Sequence, residues 1–297
     1  MHRHFLQPGF LVTGLVTIPL AFSLAARAQE LTPGQVVELK FPGMELPPTL
    51  NVMVTGAANV PALTIRLPDD YSPTNTYPLL VYVPGGDGHR NGNIDNARAI
   101  VGDKGWILAS LPLFKENIDP AEPMGGIAVG FEDYPVIAKA YRMMLGRLFE
   151  RVPNIDRNKS ALVGFSNGSL TIAVLVSCHD EFILTHFKNF CLVDHGMFHL
   201  TDLHKQYARD GRYLILVGDQ DDFGRDLKIR QSQLQQETWR LLGVNVSYQI
   251  MKNTGHQFEE PQMDLVGEWL KHETPGPSNS AEQPAPEPAD TGKGTRP

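Results

Sequence analysis

Cysteine is scarce in this 297-residue chain, with Cys178 and Cys191 its only two. That excludes a disulfide framework and leaves either one optional bridge or two buried thiols. A basic excess is missing as well: 26 Lys and Arg stand against 33 Asp and Glu, for a net charge of −7. With no basic patch interleaved with aromatics, nucleic acid is not expected as a partner. No zinc motif is complete. His195, His199 and His204, with Asp194 and Asp202, include one pair at helical i, i+4 spacing but no full ligand set. The stretch "DQDDFG" has Phe223 where a calcium loop needs an oxygen, and Arg230 where it needs its closing Glu. There is no internal repeat, so a repeat array is excluded too.

Long apolar runs are also lacking. The best one, Phe10 to Phe22, is interrupted by Thr13, Gly14, Thr17 and Pro19 and is too short to span a bilayer comfortably. It follows the basic start His2-Arg3-His4 and precedes Ala26-Arg27-Ala28. Those are the marks of a secretory signal peptide over residues 1–28, cleaved after Ala28. The expectation is a secreted or periplasmic protein with no stable membrane insertion after cleavage. No cysteine lies near the cleavage site to carry a lipid. At the other end, residues 274–297 ("TPGPSNSAEQPAPEPADTGKGTRP") cannot bury enough apolar surface to offset the entropy of ordering, which predicts a disordered tail. Residues 29–273 remain, a length suited to one domain of the larger α/β kind.

What is present in that span alternates. Three β-rich stretches, "VVELKF", "NVMVTG" and "ALTIRL", come first. "YPLLVYV" follows and is apolar nearly throughout, as a strand covered on both faces should be. "NIDNARAIVGDKG" reads as a short helix and "WILASLPLF" as a strand. A periodic helix then repeats Ile137, Tyr141, Met144, Leu145 and Leu148 at three- and four-residue spacing and stops at Pro153. Strand "ALVGF", buried helix "NGSLTIAVLVSC", strands "FCLVDHG" and "RYLILVG", helix 226–242, strand "VNVSYQIM" and a helix near 261–272 complete the order. Such alternation predicts a mainly parallel sheet with helices on both faces, joined by right-handed crossovers. Trp106, Trp239 and Trp269 fall inside these elements and read as core.

Within this frame, "GFSNG" puts Ser166 where an apolar strand stops and a helix starts. Composition alone would produce Gly-x-Ser-x-Gly about 0.1 times in such a chain, so its context matters more than the match. The context is that of a nucleophile elbow: a serine on a strained turn, with room supplied by Gly164 and Gly168. The N–H of Asn167 then points to where an acyl oxyanion forms. A sequon at Asn167 should therefore stay unmodified, unlike those at Asn158 and Asn245. A serine nucleophile needs an acid and then a histidine later in the chain. Asp219, Asp221 and Asp222 follow the next-to-last strand, and His256 follows the last. Both loops lie at strand C-terminal ends, where open α/β sheets build their sites. The competing reading is a small polar residue in an ordinary glycine turn.

The segments "IRLPDDYSPTNTYPLLVYVPGG", "NIDRNKSALVGFSNGS", "LVGDQDD" and "TGHQF" resemble the α/β-hydrolase superfamily over roughly residues 60 to 270. Its lidless carboxylesterases are the most similar: feruloyl and acetyl-xylan esterases, polyhydroxyalkanoate-depolymerase-like enzymes and the esterase D group. The resemblance implies an α/β-hydrolase fold and a triad of Ser166, Asp221 and His256, with Asp221 matching a Gly-x-x-Asp spacing. It implies no cofactor. Those esterases usually carry His-Gly after the third strand. This chain has Pro84-Gly85, as cutinase-like polyester hydrolases do, which makes the N–H of Gly86 the second oxyanion donor by analogy. Ser169 stands where a third glycine or other small residue is common.

Between the strands before and after Met197 to Arg212 no cap domain fits, so the expected partner is an ester substrate, including bulky or polymeric ones. Two other readings stand beside the esterase. One is a peptidase-like hydrolase on the same scaffold, which would normally need a large gating domain. The other is a non-catalytic binding protein that kept the fold.

Overall fold

A computed structural model describes residues 30–44, 60–86, 94–115, 128–194, 209–220 and 225–272. The expected signal peptide, the tail and the strand "NVMVTG" lie outside those residues. From Leu31 onward the described residues belong to one unit.

The strands are β1 (Val36–Lys40), β2 (Ala62–Arg66), β3 (Leu79–Val83), β4 (Ile107–Ser110), β5 (Ala161–Phe165), β6 (Asn189–Val193), β7 (Arg212–Gly218) and β8 (Asn245–Met251). They form one eight-stranded sheet in the order β1-β2-β4-β3-β5-β6-β7-β8. β2 pairs antiparallel with β1 and with β4, and every later pairing is parallel. The central parallel strands, such as β3 and β6, are buried along their whole length because helices cover them on both faces, whereas the edge strand β8 alternates buried and exposed positions.

Side chains alternate between those faces, as the strand period of two requires. Leu79, Val81 and Val83 of β3, Phe190 and Leu192 of β6, and Tyr213, Ile215 and Val217 of β7 point to one side. There they meet α2 (Tyr134–Arg151), α3 (Asn167–Ser177) and Trp239 of α5 (Arg225–Leu241). Leu80, Tyr82, Cys191, Val193, Leu214 and Leu216 point to the other side, against α1 (Ile94–Val101) and α6 (Glu260–Lys271). The five apolar positions expected on the periodic helix are all buried on α2. Trp239 is core as expected, while Trp106 and Trp269 are only partly buried against the second face.

A short helix, α4 (Glu181–His186), interrupts the connection from α3 to β6 and was not anticipated. Asp180 caps it, its carboxylate accepting from Ile183 N–H at 3.0 Å. The cysteine question resolves as two thiols. Cys191 lies on the face covered by α1 and α6, whereas Cys178, at the end of α3, packs against the opposite core. Among the described residues no helix is long and apolar enough to cross a membrane.

Candidate active site

The parallel order brings the C-terminal ends of β3, β5, β6, β7 and β8 to one edge of the sheet. At the centre, β5 stops at Phe165 and α3 begins at Asn167, with Ser166 between them at φ 53°, ψ −117°. A non-glycine residue is strained there and holds only if its surroundings fix it. They do. Ser166 N–H donates to Val193 O of β6 at 2.9 Å, and Ser166 O accepts from Leu170 N–H at 3.1 Å to start the helix.

The flanking glycines are required by close approach. A Cβ on Gly164 would stand 2.5 Å from the Gly168 carbonyl carbon, and one on Gly168 would collide with the carbonyls of Val83 and Pro84. The second contact also shows that the loop leaving β3 rests on the first turn of α3. Gly86, three residues past the end of β3, is half-buried in a turn.

Ser169 proves to be a fastener. It is fully buried, its Oγ accepts from Val193 N–H at 2.8 Å, and Gly164 O and Val193 O lie 2.6 and 2.9 Å from the same hydroxyl. A glycine there would leave Val193 N–H to find another partner. Asn167 is also buried, its Oδ1 accepting from Val129 N–H at 3.3 Å. That side chain has no room for a glycan. The exposed Asn158 and Asn245 do.

His256 comes to the elbow from the loop after β8. Its Nε2 lies 2.9 Å from Ser166 Oγ. For the serine hydroxyl to donate to Nε2, the ring proton must sit on Nδ1. Phe165 packs beside the imidazole with ring centres 5.0 Å apart, and Phe258 and Tyr82 continue that row at 6.1 Å steps. The histidine loop is tied to the end of β7. Gln220 N–H donates to Thr254 O at 2.8 Å, and Asp219 N–H to Met251 O at 3.0 Å. Thr254 Oγ1 accepts from Gln262 Nε2 of α6 at 3.3 Å.

The aspartates divide. Asp219 Oδ1 accepts from Thr254 N–H at 3.3 Å and its Oδ2 lies 3.7 Å from Lys252 Nζ, so this carboxylate braces the loop. Asp221 and Asp222 lie outside the described residues, as do His195, His199, Asp202 and His204. Asp194 is described and is fully buried at the end of β6, accepting from Gly218 N–H and Gln257 N–H. The sequence groups Asp194 with three histidines and Asp202 as an incomplete ligand set, and its place at a strand C-terminus is the signal for a role at the elbow.

Beyond the elbow, Lys115 and Asp133 form a buried ion pair at 3.6 Å. Lys115 Nζ also donates to Ala128 O, and Asp133 Oδ2 accepts from Gly130 N–H at 2.7 Å. This pair fixes the 128–130 segment that Asn167 touches.

No protein-family model matches the chain, and a search of curated proteins finds no match. Solved structures do match. The Bacillus cereus carboxylesterase aligns at 20% identity and TM-score 0.50, covering 70% of this chain and 92% of that one. A ferulic acid esterase aligns at 15% identity and TM-score 0.53, covering 80% and 96%. A thermostable esterase aligns at 16% identity and TM-score 0.46 over 80% of this chain, which spans only 59% of that longer protein. The sheet order, the crossing helices and the likeness to the carboxylesterase and the ferulic acid esterase give this chain the α/β-hydrolase fold.

Proposed function

We propose that this protein is an exported serine hydrolase that cleaves carboxylic esters through an acyl-enzyme. The observation that carries the reading is the 2.9 Å approach of His256 Nε2 to an Oγ held on a strained strand-to-helix turn. In the first half-reaction Ser166 Oγ attacks the acyl carbon and His256 Nε2 takes its proton. The resulting imidazolium returns that proton to the departing alkoxide. Water then repeats the sequence on the acyl-enzyme, releasing the acid and restoring Ser166.

Asp221 is assigned the acid role, holding Nδ1–H and stabilising the imidazolium. The N–H groups of Gly86 and Asn167 are assigned to the oxyanion, often the largest single catalytic contribution. Asn167 is the first residue of an eleven-residue helix, so its N–H has no intrahelical acceptor and sits at the positive end of the helix dipole. No cofactor enters this chemistry. The fold shared with a carboxylesterase and a ferulic acid esterase supports carboxylic esters as the class to test, bulky and polymeric ones included.

The test is fluorophosphonate labelling followed by nitrophenyl, feruloyl and acetyl-sugar esters. Ser166→Ala should lose label and about 10⁴- to 10⁶-fold in turnover while melting like the wild type. Asp221→Asn should lower kcat by up to about 10⁴-fold, more than Asp219→Asn or Asp222→Asn. Wild-type turnover by Ser166→Ala would end the reading.

A further inference from the structure

Strand β6 ends in two residues that reach both halves of the site. Val193 O accepts from Ser166 N–H at 2.9 Å. The next residue, Asp194, sits at φ 55° with its side chain removed from solvent. Its Oδ1 accepts from Gly218 N–H at 2.8 Å, and its Oδ2 from Gln257 N–H at 3.2 Å. Gln257 follows His256 directly, and its N–H is shared with Gly255 O at 3.0 Å. β6 and β7 are already joined by a full parallel ladder from Asn189↔Arg212 to Val193↔Leu216. A dry carboxylate is not needed for that join, and it is costly unless its oxygens are satisfied. What the carboxylate adds is a charge-assisted bond to the backbone beside His256.

We propose that Asp194 is a positioning residue: its carboxylate fixes the His256 loop to the same strand end that fixes Ser166, and so sets the distance between Oγ and Nε2. This rests on the hydrolase reading of that pair. An asparagine cannot substitute, because its amide offers one acceptor atom and turns a donor toward the other N–H.

In Asp194→Asn, kcat for a nitrophenyl ester should fall about 100-fold with KM little changed, the scale expected of a misplacement near 1 Å. The same substitution in a His256→Ala background should cost nothing further, because Asp194 acts through His256. An equal loss in both backgrounds would overturn the proposal. A crystal structure of Asp194→Asn should show Ser166 Oγ and His256 Nε2 out of hydrogen-bond range in an otherwise intact sheet, and an unchanged distance would also overturn it. Should that variant not fold, wild-type amide exchange decides: Gln257 N–H should be as protected as Gly218 N–H, and fast exchange at Gln257 would refute the anchor. Wild type that neither labels nor turns over would instead remove the hydrolase reading, leaving the distance and exchange tests in force.

Discussion

At Ser169 one hydroxyl serves three backbone groups from two strands, and all of them are buried. The hydroxyl has a single proton, so it donates to Gly164 O or Val193 O while accepting from Val193 N–H. Ser169→Ala removes the acceptor and strands that N–H away from water. Such orphaned donors cost about 1–3 kcal/mol. Because Val193 O also receives Ser166 N–H, the loss should reach the elbow. Urea denaturation should show a lower midpoint with unchanged slope, together with a reduced kcat. A variant with wild-type stability would mean that the N–H finds water, contrary to the packing. The sequence marks Ser169 only as a small residue in place of glycine. Its partners are five and 24 positions away, on β5 and β6, and no local pattern encodes them. Asp194 stands out only as one member of an incomplete ligand set, because its partners lie 24 and 63 positions along the chain.

Elements were far more legible than partners. Runs such as "LLVYV" and "NFCLV" are buried throughout, and the α2 stripe repeats at helical spacing, so burial on two faces or on one left a mark in the sequence itself. Ser166 and His256 were findable because the fold places them at element boundaries. Helix α4 left no such mark, since six residues are too few to establish a period. The cysteines depended on which face of β6 carries Cys191. The sheet lies between the two sulfurs, and a bridge would need their Cα atoms within about 7 Å. Burial pushes the thiol of Cys191 far above its ordinary range, and burial beside Asp180 raises that of Cys178. Neither is poised as a thiolate. The purified protein, denatured without reductant and treated with an alkylating agent, should take up two labels. A mass without labels would require a rearranged sheet.

At the scale of the molecule, two histidines stand at opposite edges of the sheet. His256 stands at the C-terminal edge with Ser166. His186 ends α4 just before β6 begins, at the other edge, with its ring packed against Phe182 at 4.4 Å and Phe149 at 4.6 Å. Its Nδ1 donates to Phe182 O at 2.7 Å. The aromatic faces would attract an imidazolium, but Arg157 and Arg142 already lie over Phe149 and Phe182, at 5.4 and 5.9 Å. Burial lowers the pKa of His186 below 6.5, Arg157 adds to the lowering, and the bond to Phe182 only partly opposes it.

The folded chain therefore holds His186 neutral at pH values where the unfolded chain has taken up a proton. Stability from this site is complete above about pH 6.5 and is lost as pH falls through the folded value. Between about pH 8 and about pH 5.5 the wild-type melting temperature should drop more than that of His186→Gln, which keeps a donor for Phe182 O and cannot titrate. The comparison is between slopes, because losing the stacked ring lowers Tm at every pH. His186 lies away from the elbow, so the pH profile of kcat should be the same in both proteins. Equal Tm slopes would assign the acid sensitivity to other groups. A kcat profile that moved with His186 would mean that the two edges of the sheet are coupled.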